Sequence, residues 1–263
     1  MFGIKRKIHK SVRDASIVEV SEQGGVRSLH LGSVTVQSSM RTKDPSYLEL
    51  AYTRGMMGFL LFNDAPKHAV TIGLGGGSVA KYIHTFCPQI SQTILEINQQ
   101  VINIAHSHFA VPFENEKLHI LCEDGVAYLQ NHANSCDVLL IDAFDMDGVP
   151  DDCRSTSFFD TCFAALQKHG VFAMNLWGSD KQFDVVLQRI EQAFDGHVLI
   201  LPTGKPGNIV VFGIKGFAYN GKLLVKRANV LENTHRIEFK DFASKICELN
   251  RERLSDFASV LYD

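Results

Sequence analysis

Between residues 66 and 215 short apolar runs alternate with amphipathic stretches. The runs at 69–72, 93–95, 118–121, 137–141, 171–176, 198–201 and 209–212 are mostly continuous, as in strands covered on both faces. Between them, 79–86, 99–109, 157–168 and 181–194 predict helices. Strand and helix in alternation predict a doubly wound α/β architecture with a mostly parallel seven-stranded sheet. Earlier in the chain, 17–20, 26–31 and 34–38 are β-rich and separated by Gly24-Gly25 and Gly32-Ser33, the turn signals of a small antiparallel unit. The segment 47–62 carries Leu48, Ala51, Gly55, Phe59 and Phe62 at helical spacing. Beyond 216 the chain is more polar, with amphipathic helices expected over 239–249 and 254–261. The expected division is a β-hairpin unit at 1–45, an α/β domain at 46–215 and a helical extension at 216–263.

The seven strands, the last two joined by a turn at 202–208, match the methyltransferase-type variant of the Rossmann architecture. With 263 residues, 45% of them hydrophobic, the chain can bury a full core. A net charge of −3 argues against a dedicated nucleic-acid binder, which would carry a basic face. No apolar run approaches the ~20 residues that span a bilayer. No apolar region follows the basic start, so no secretory signal is expected. The six cysteines show no C-x-x-C spacing and read as reduced thiols of a cytoplasmic protein.

The candidate chemistry sits at the ends of the apolar runs. Gly73, Gly75 and Gly77 follow the first run and precede a helix, where glycine lets the backbone turn sharply and approach a ligand. No Lys-Ser/Thr pair follows, so the turn is not a P-loop. Glu96 ends the second run, about 20 positions on, where an acidic residue accepts hydrogen bonds from ribose hydroxyls. Asp124, before Gly125, ends the third run as a helix N-cap, a holder of an adenine amino group, or both. Asp142 and Asp145 follow the fourth run, where such sheets place their chemistry. A solvated acidic loop or a Mg²⁺ site would also suit these carboxylates; neither explains the adenosine-type features before them. The order describes a nucleoside pocket beside a carboxylate pair, and a transferase with an adenosyl sulfonium donor leads the readings.

On these residues the chain resembles the spermidine/spermine synthases, the polyamine aminopropyltransferases, over roughly 17–215. The resemblance rests on the spacing of Gly73, Glu96, Asp124-Gly125, the run ending in Asp142, and Asp145. It implies a glycine loop, a ribose-binding Glu96, an adenine-binding Asp124, a catalytic Asp142 and an amine-holding Asp145. Gln37 matches the family glutamine near the nucleoside; Tyr47 and Glu49 match the first and last residues of its Tyr-His-Glu motif. Three departures fall on the amine half. Gly76 stands where the family has an aspartate for the donor's amine, Leu48 replaces the motif's histidine, and 203–207 lacks the tyrosine of the late turn lining the amine pocket. If Lys205 reaches the pocket, it disfavours a cationic acceptor.

The implied reaction takes decarboxylated S-adenosylmethionine as co-substrate, with no prosthetic group and no metal. A primary amine such as putrescine attacks the propyl carbon beside the sulfonium, and methylthioadenosine leaves. Alkylamines have pKa values near ~10, so the acceptor arrives protonated and needs a base, the role given to Asp142. Asp145, with Tyr47, positions the amine. A homodimer is expected from the resemblance. Two alternatives stay open: an S-adenosylmethionine-dependent methyltransferase and a catalytically silent nucleoside- or polyamine-binding homologue.

Overall fold

The computed structural model describes residues 6–13, 16–33, 35–144, 148–204, 207–216 and 219–254. It opens with β1 (Arg6–Arg13), β2 (Ser16–Gln23), β3 (Val26–Leu31) and β4 (Ser38–Arg41), a four-stranded antiparallel meander. A short helix α1 (Ala51–Met56) runs into a 3₁₀ helix at Met57–Leu61. Then follow β5 (His68–Ile72), α2 (Ser78–Phe86), β6 (Ser91–Leu95), α3 (Gln99–Phe109), β7 (Leu118–Leu121), α4 (Gly125–Gln130) and β8 (Cys136–Ile141). After a 3₁₀ turn at Asp151–Arg154 come α5 (Thr156–Ala165), β9 (Leu166–Trp177), α6 (Phe183–Ala193), β10 (Val198–Thr203), β11 (Asn208–Ile214), α7 (Gly221–Thr234) and α8 (Phe239–Leu249).

The second sheet has the order β10-β11-β9-β8-β5-β6-β7. Strands β5 to β9 pair in parallel, whereas β11 pairs antiparallel with both β9 and β10. The chain leaves β5 toward β6 and later returns to its other side as β8, so a crevice opens between the ends of β5 and β8.

The apolar runs are continuous because the sheet is buried on both faces. Val138 and Leu140 of β8 join one core cluster, Leu139 and Ile141 the opposite one, and all four are fully buried. Phe158, Phe159, Val186 and Ile190 of α5 and α6 cover the second face. Leu224, Ala228, Phe239, Phe242 and Ile246 of α7 and α8 cover the first, sharing it with Phe59 and Phe62. The C-terminal helices are also tied by polar contacts. Arg227 donates to the carbonyls of Leu61 (3.1 Å) and Phe62 (2.6 Å). Buried Asn250 bonds the backbone of Ile200 in both directions. No helix among the described residues is long and apolar enough to cross a membrane.

All seven strands of the large sheet form where the apolar runs lie, and 99–109 and 239–249 are helices with those bounds. Elsewhere the structure corrects the expectation. The helix of 47–62 begins only at Ala51 and tightens to 3₁₀ from Met57. The 157–168 helix stops at Ala165, because β9 extends back to pair Leu166 with Cys136 of β8. In the small sheet the strand expected at 34–38 lies at Ser38–Arg41, where register with β3 outweighs apolar content. Two elements were not expected: β1, held by its ladder to β2, and α7, which buries only Leu224 and Ala228. The helix expected over 254–261 lies outside the described residues after Leu254.

Candidate functional site

A cavity of about 560 Å³ fills the crevice at the carboxyl ends of β5, β6, β7 and β8, and residues near β3, β4 and α1 close its other side. Every charged side chain on its described wall is a carboxylate: Glu96, Glu123, Asp124, Asp142 and Asp152. Such a wall favours cationic occupants.

The glycine turn forms the floor. Gly73 has φ +96°, Gly75 +54° and Gly77 +63°, all in the left-handed region where glycine has no steric cost. A Cβ on Gly73 would run into the backbone carbonyl of Asp142, so donor loop and carboxylate strand are in van der Waals contact. Gly77 is the N-cap of α2. The Gly76 position is closed off: a Cβ there would lie 2.7 Å from Ser38 Oγ and 2.9 Å from a Phe109 ring carbon. Ser38 and Ser78 place hydroxyls 3.3 Å apart beside it. An acidic side chain at this position would have to displace the side chains of Ser38 and Phe109. Gly76→Asp is therefore expected to cost about 1–3 kcal/mol, the usual scale of overpacking, and to weaken donor binding. A thermal melt and a donor titration check both.

Glu96 is held by backbone amides: Leu74 N donates to Oε2 and Asn98 N to Oε1, each at 3.0 Å. Burial pushes its pKa up, and the N–H groups of Asn98, Leu74 and Gly75 oppose that rise. Three N–H donors on two oxygens still leave a lone pair for a hydroxyl donor in the cavity. Asp124 caps α4, its Oδ1 accepting from Val126 N at 2.8 Å. Gly125 is required by contact: a Cβ there would lie 2.6 Å from the Ile72 side chain. Ile97, 72% exposed, also lines the cavity.

Asp142 stands at the centre. Asn175 Nδ2 donates to its Oδ1 at 3.0 Å and the Tyr52 hydroxyl lies 3.3 Å from its Oδ2. Burial pushes the carboxyl up to about 6, against the lowering effect of those two donors. Tyr52 is also 3.2 Å from the carbonyl of Gln37. Burial first, and the Asp142 carboxylate second, raise the phenol well above its usual pKa, so it stays a donor.

The structure thus brings Gln37, Gly73, Gly75, Glu96, Asp124, Gly125 and Asp142 to one cavity, with Gly77 opening α2 at the end of the loop. Tyr47 is not among the cavity residues; its ring lies under the Arg41 guanidinium, 3.6 Å away. The tyrosine that meets Asp142 is Tyr52. Sequence reading took Tyr47 because it matches the first residue of the Tyr-His-Glu motif; Tyr52 lies one turn before Met56, which also lines the cavity. Asp145 and Lys205 lie outside the described residues. Trp177 stacks with Phe144, ring centroids 5.3 Å apart.

A crevice of this kind defines the class: a doubly wound α/β protein with a ligand cavity at the carboxyl ends of its strands. Comparison with known proteins narrows it. Residues 49–215 match the spermine/spermidine synthase domain. The polyamine aminopropyltransferase of Chromobacterium violaceum is 39% identical over 254 residues, covering 96% of this chain and 97% of that one. Its counterpart in Neisseria meningitidis is 44% identical over 225 residues, 84% and 86% of the two chains. A spermidine synthase solved with the transition-state analogue AdoDATO superposes with a TM-score of 0.75 at 17% identity, over 95% of this chain and 88% of that one. The chain belongs to the spermine/spermidine synthase family.

Proposed function

We propose that this protein transfers an aminopropyl group from decarboxylated S-adenosylmethionine to a small amine such as putrescine, releasing methylthioadenosine. The observation that carries the reading is Asp142, a carboxylate with raised pKa at a strand end inside a cavity whose charged described residues are all acidic, held by two neutral donors. Glu96 binds the ribose hydroxyls, Asp124 the adenine amino group, and Ile97 offers apolar area to the face of the base. Gln37 and the turn of Gly73, Gly75 and Gly77 hold the rest of the nucleoside.

The acceptor nitrogen attacks the propyl carbon bonded to sulfur. A C–N bond forms, the C–S bond breaks, and its electron pair neutralises the sulfonium as the thioether of methylthioadenosine. The Asp142 carboxylate first holds the bound ammonium by charge, then takes its proton so that the nitrogen lone pair is free to attack. Tyr52 orients the carboxylate, and Asp145 adds a second anionic contact for the amine. The acidic wall repels the carboxylate of intact S-adenosylmethionine and so selects the decarboxylated donor. All six cysteines are free thiols, which supports a reducing, cytoplasmic setting. A homodimer completes the reading, with light scattering as its check.

The test combines calorimetry with product analysis. Tighter binding of decarboxylated S-adenosylmethionine than of S-adenosylmethionine, and methylthioadenosine formed with aminopropylated amine, is the expected result. Preference for intact S-adenosylmethionine with a methylated product would overturn it. Turnover is expected to fall as pH drops through about 6, where Asp142 takes up its proton.

A further inference from the structure

Asn175 is a buried amide, 2% exposed, between two partners. Its Nδ2 donates to Asp142 Oδ1 at 3.0 Å, and its Oδ1 accepts from Asn208 Nδ2 at 2.9 Å. Asn208 is the first residue of β11, across from Thr203 at the neck of the β10–β11 hairpin; its carbonyl accepts from the Thr203 hydroxyl at 3.1 Å. We propose that Asn208 is a positioning residue for aminopropyl transfer: acting through Asn175, it fixes which end of that amide faces Asp142 and so holds Asp142 in its ionised form.

An amide has one donor end and one acceptor end of nearly equal size. With Asn208 donating from behind, a flipped Asn175 would face two nitrogen donors with each other and its oxygen with the carboxylate. Both contacts would be lost at a buried position, where an unpaired polar group is costly. The Asn208 contact favours the orientation with the Asn175 nitrogen toward Asp142, a contact that favours the carboxylate over the acid. Remove Asn208, and the amide is free to turn and accept a hydrogen bond from protonated Asp142. That turn stabilises the form that cannot act as base.

Among the described residues, the titratable groups sharing the cavity are Tyr52 from α1, Glu96 after β6, Glu123 and Asp124 after β7, and Asp152 and Cys153 before α5; of these Tyr52 is bonded to Asp142. Asn175 and Asn208 are neutral, so their effect is one of orientation, not charge. This inference rests on Asp142 being the base.

The experiment measures kcat/KM against pH for the full chain and for Asn208→Leu, Asn208→Ala, Asn175→Ala, Asn175→Ala/Asn208→Leu and Asp142→Asn. Melting curves show which variants fold, and Asn208→Ala substitutes for Asn208→Leu if the larger side chain disturbs the hairpin. The acid limb should move up by roughly one pH unit on removing the Asn208 amide. Activity then falls several-fold at pH 6 and recovers above pH 8. In the Asn175→Ala background the Asn208 change should move the limb no further, the non-additivity expected of a residue acting through another. A limb that stays in place, or moves equally in both backgrounds, overturns the relay while leaving the base assignment intact. Full turnover in Asp142→Asn overturns the base assignment itself.

Discussion

Asp142→Asn is expected to lower kcat by about 10²–10⁴, the usual contribution of a positioned general base, while donor affinity stays near that of the parent. Asparagine keeps the shape and can still accept from Asn175 and meet the Tyr52 hydroxyl; what it lacks is the ability to take a proton. The same variant should melt at a higher temperature at neutral pH. The carboxyl titrates near 3.8 in an unfolded chain and at about 6 when folded. Burying it is free of penalty below pH 3.8, and the penalty grows as pH rises, being complete above 6. Removing the charge returns up to roughly 3 kcal/mol at pH 8 and nothing at pH 3.5. Rate measurements and melts at those two pH values test both halves. A variant that loses activity and also loses stability at pH 8 would contradict this account of the site.

Gly73→Ala is expected to reduce kcat/KM by at least about 100-fold, the scale of a 1 Å misplacement in a site of this type. Two effects coincide. The backbone is at φ +96°, where an L side chain is strained by about 1–3 kcal/mol, and the new methyl points into the carbonyl of Asp142. Relief requires either the loop or the end of β8 to shift, and each carries part of the site. Gly24→Ala is the control. It has φ +59° with open space around the added carbon, so a small drop in melting temperature and unchanged kinetics are expected.

Much of this was legible in the residues because the physics is local or periodic. The strands of the large sheet are apolar on both faces, so their runs are unmistakable. Glycines and carboxylates at strand ends follow from chain order alone. What was not legible depends on partners distant in sequence. β1, with Arg6, Lys7, Lys10 and Arg13, has no apolar signature and is a strand because β2 offers a ladder. α7 is polar apart from a narrow seam and is helical where it covers Phe59 and Phe62. Tyr52 owes its place to the start of α1 at Ala51, and Asn175 and Asn208 meet only because β9 and β11 are neighbours. A side chain's partner across a sheet is set by register, which a single run of residues does not encode.

The two ends of the cavity are made of different material. The end at the glycine turn is shaped by backbone, with left-handed turns and amides that clamp Glu96. Around Asp142 the contacts are side chain, from Tyr52 and Asn175 on separate elements, with Asn208 behind Asn175. Main-chain recognition survives most substitutions, whereas side-chain recognition is rewritten one codon at a time. Laboratory selection for a new nucleophile should accordingly enrich changes at Thr53 and Met56 of α1, which line the cavity beside Tyr52, and leave the choice of leaving group untouched. The fold separates the heritable freedom of one substrate from the fixity of the other.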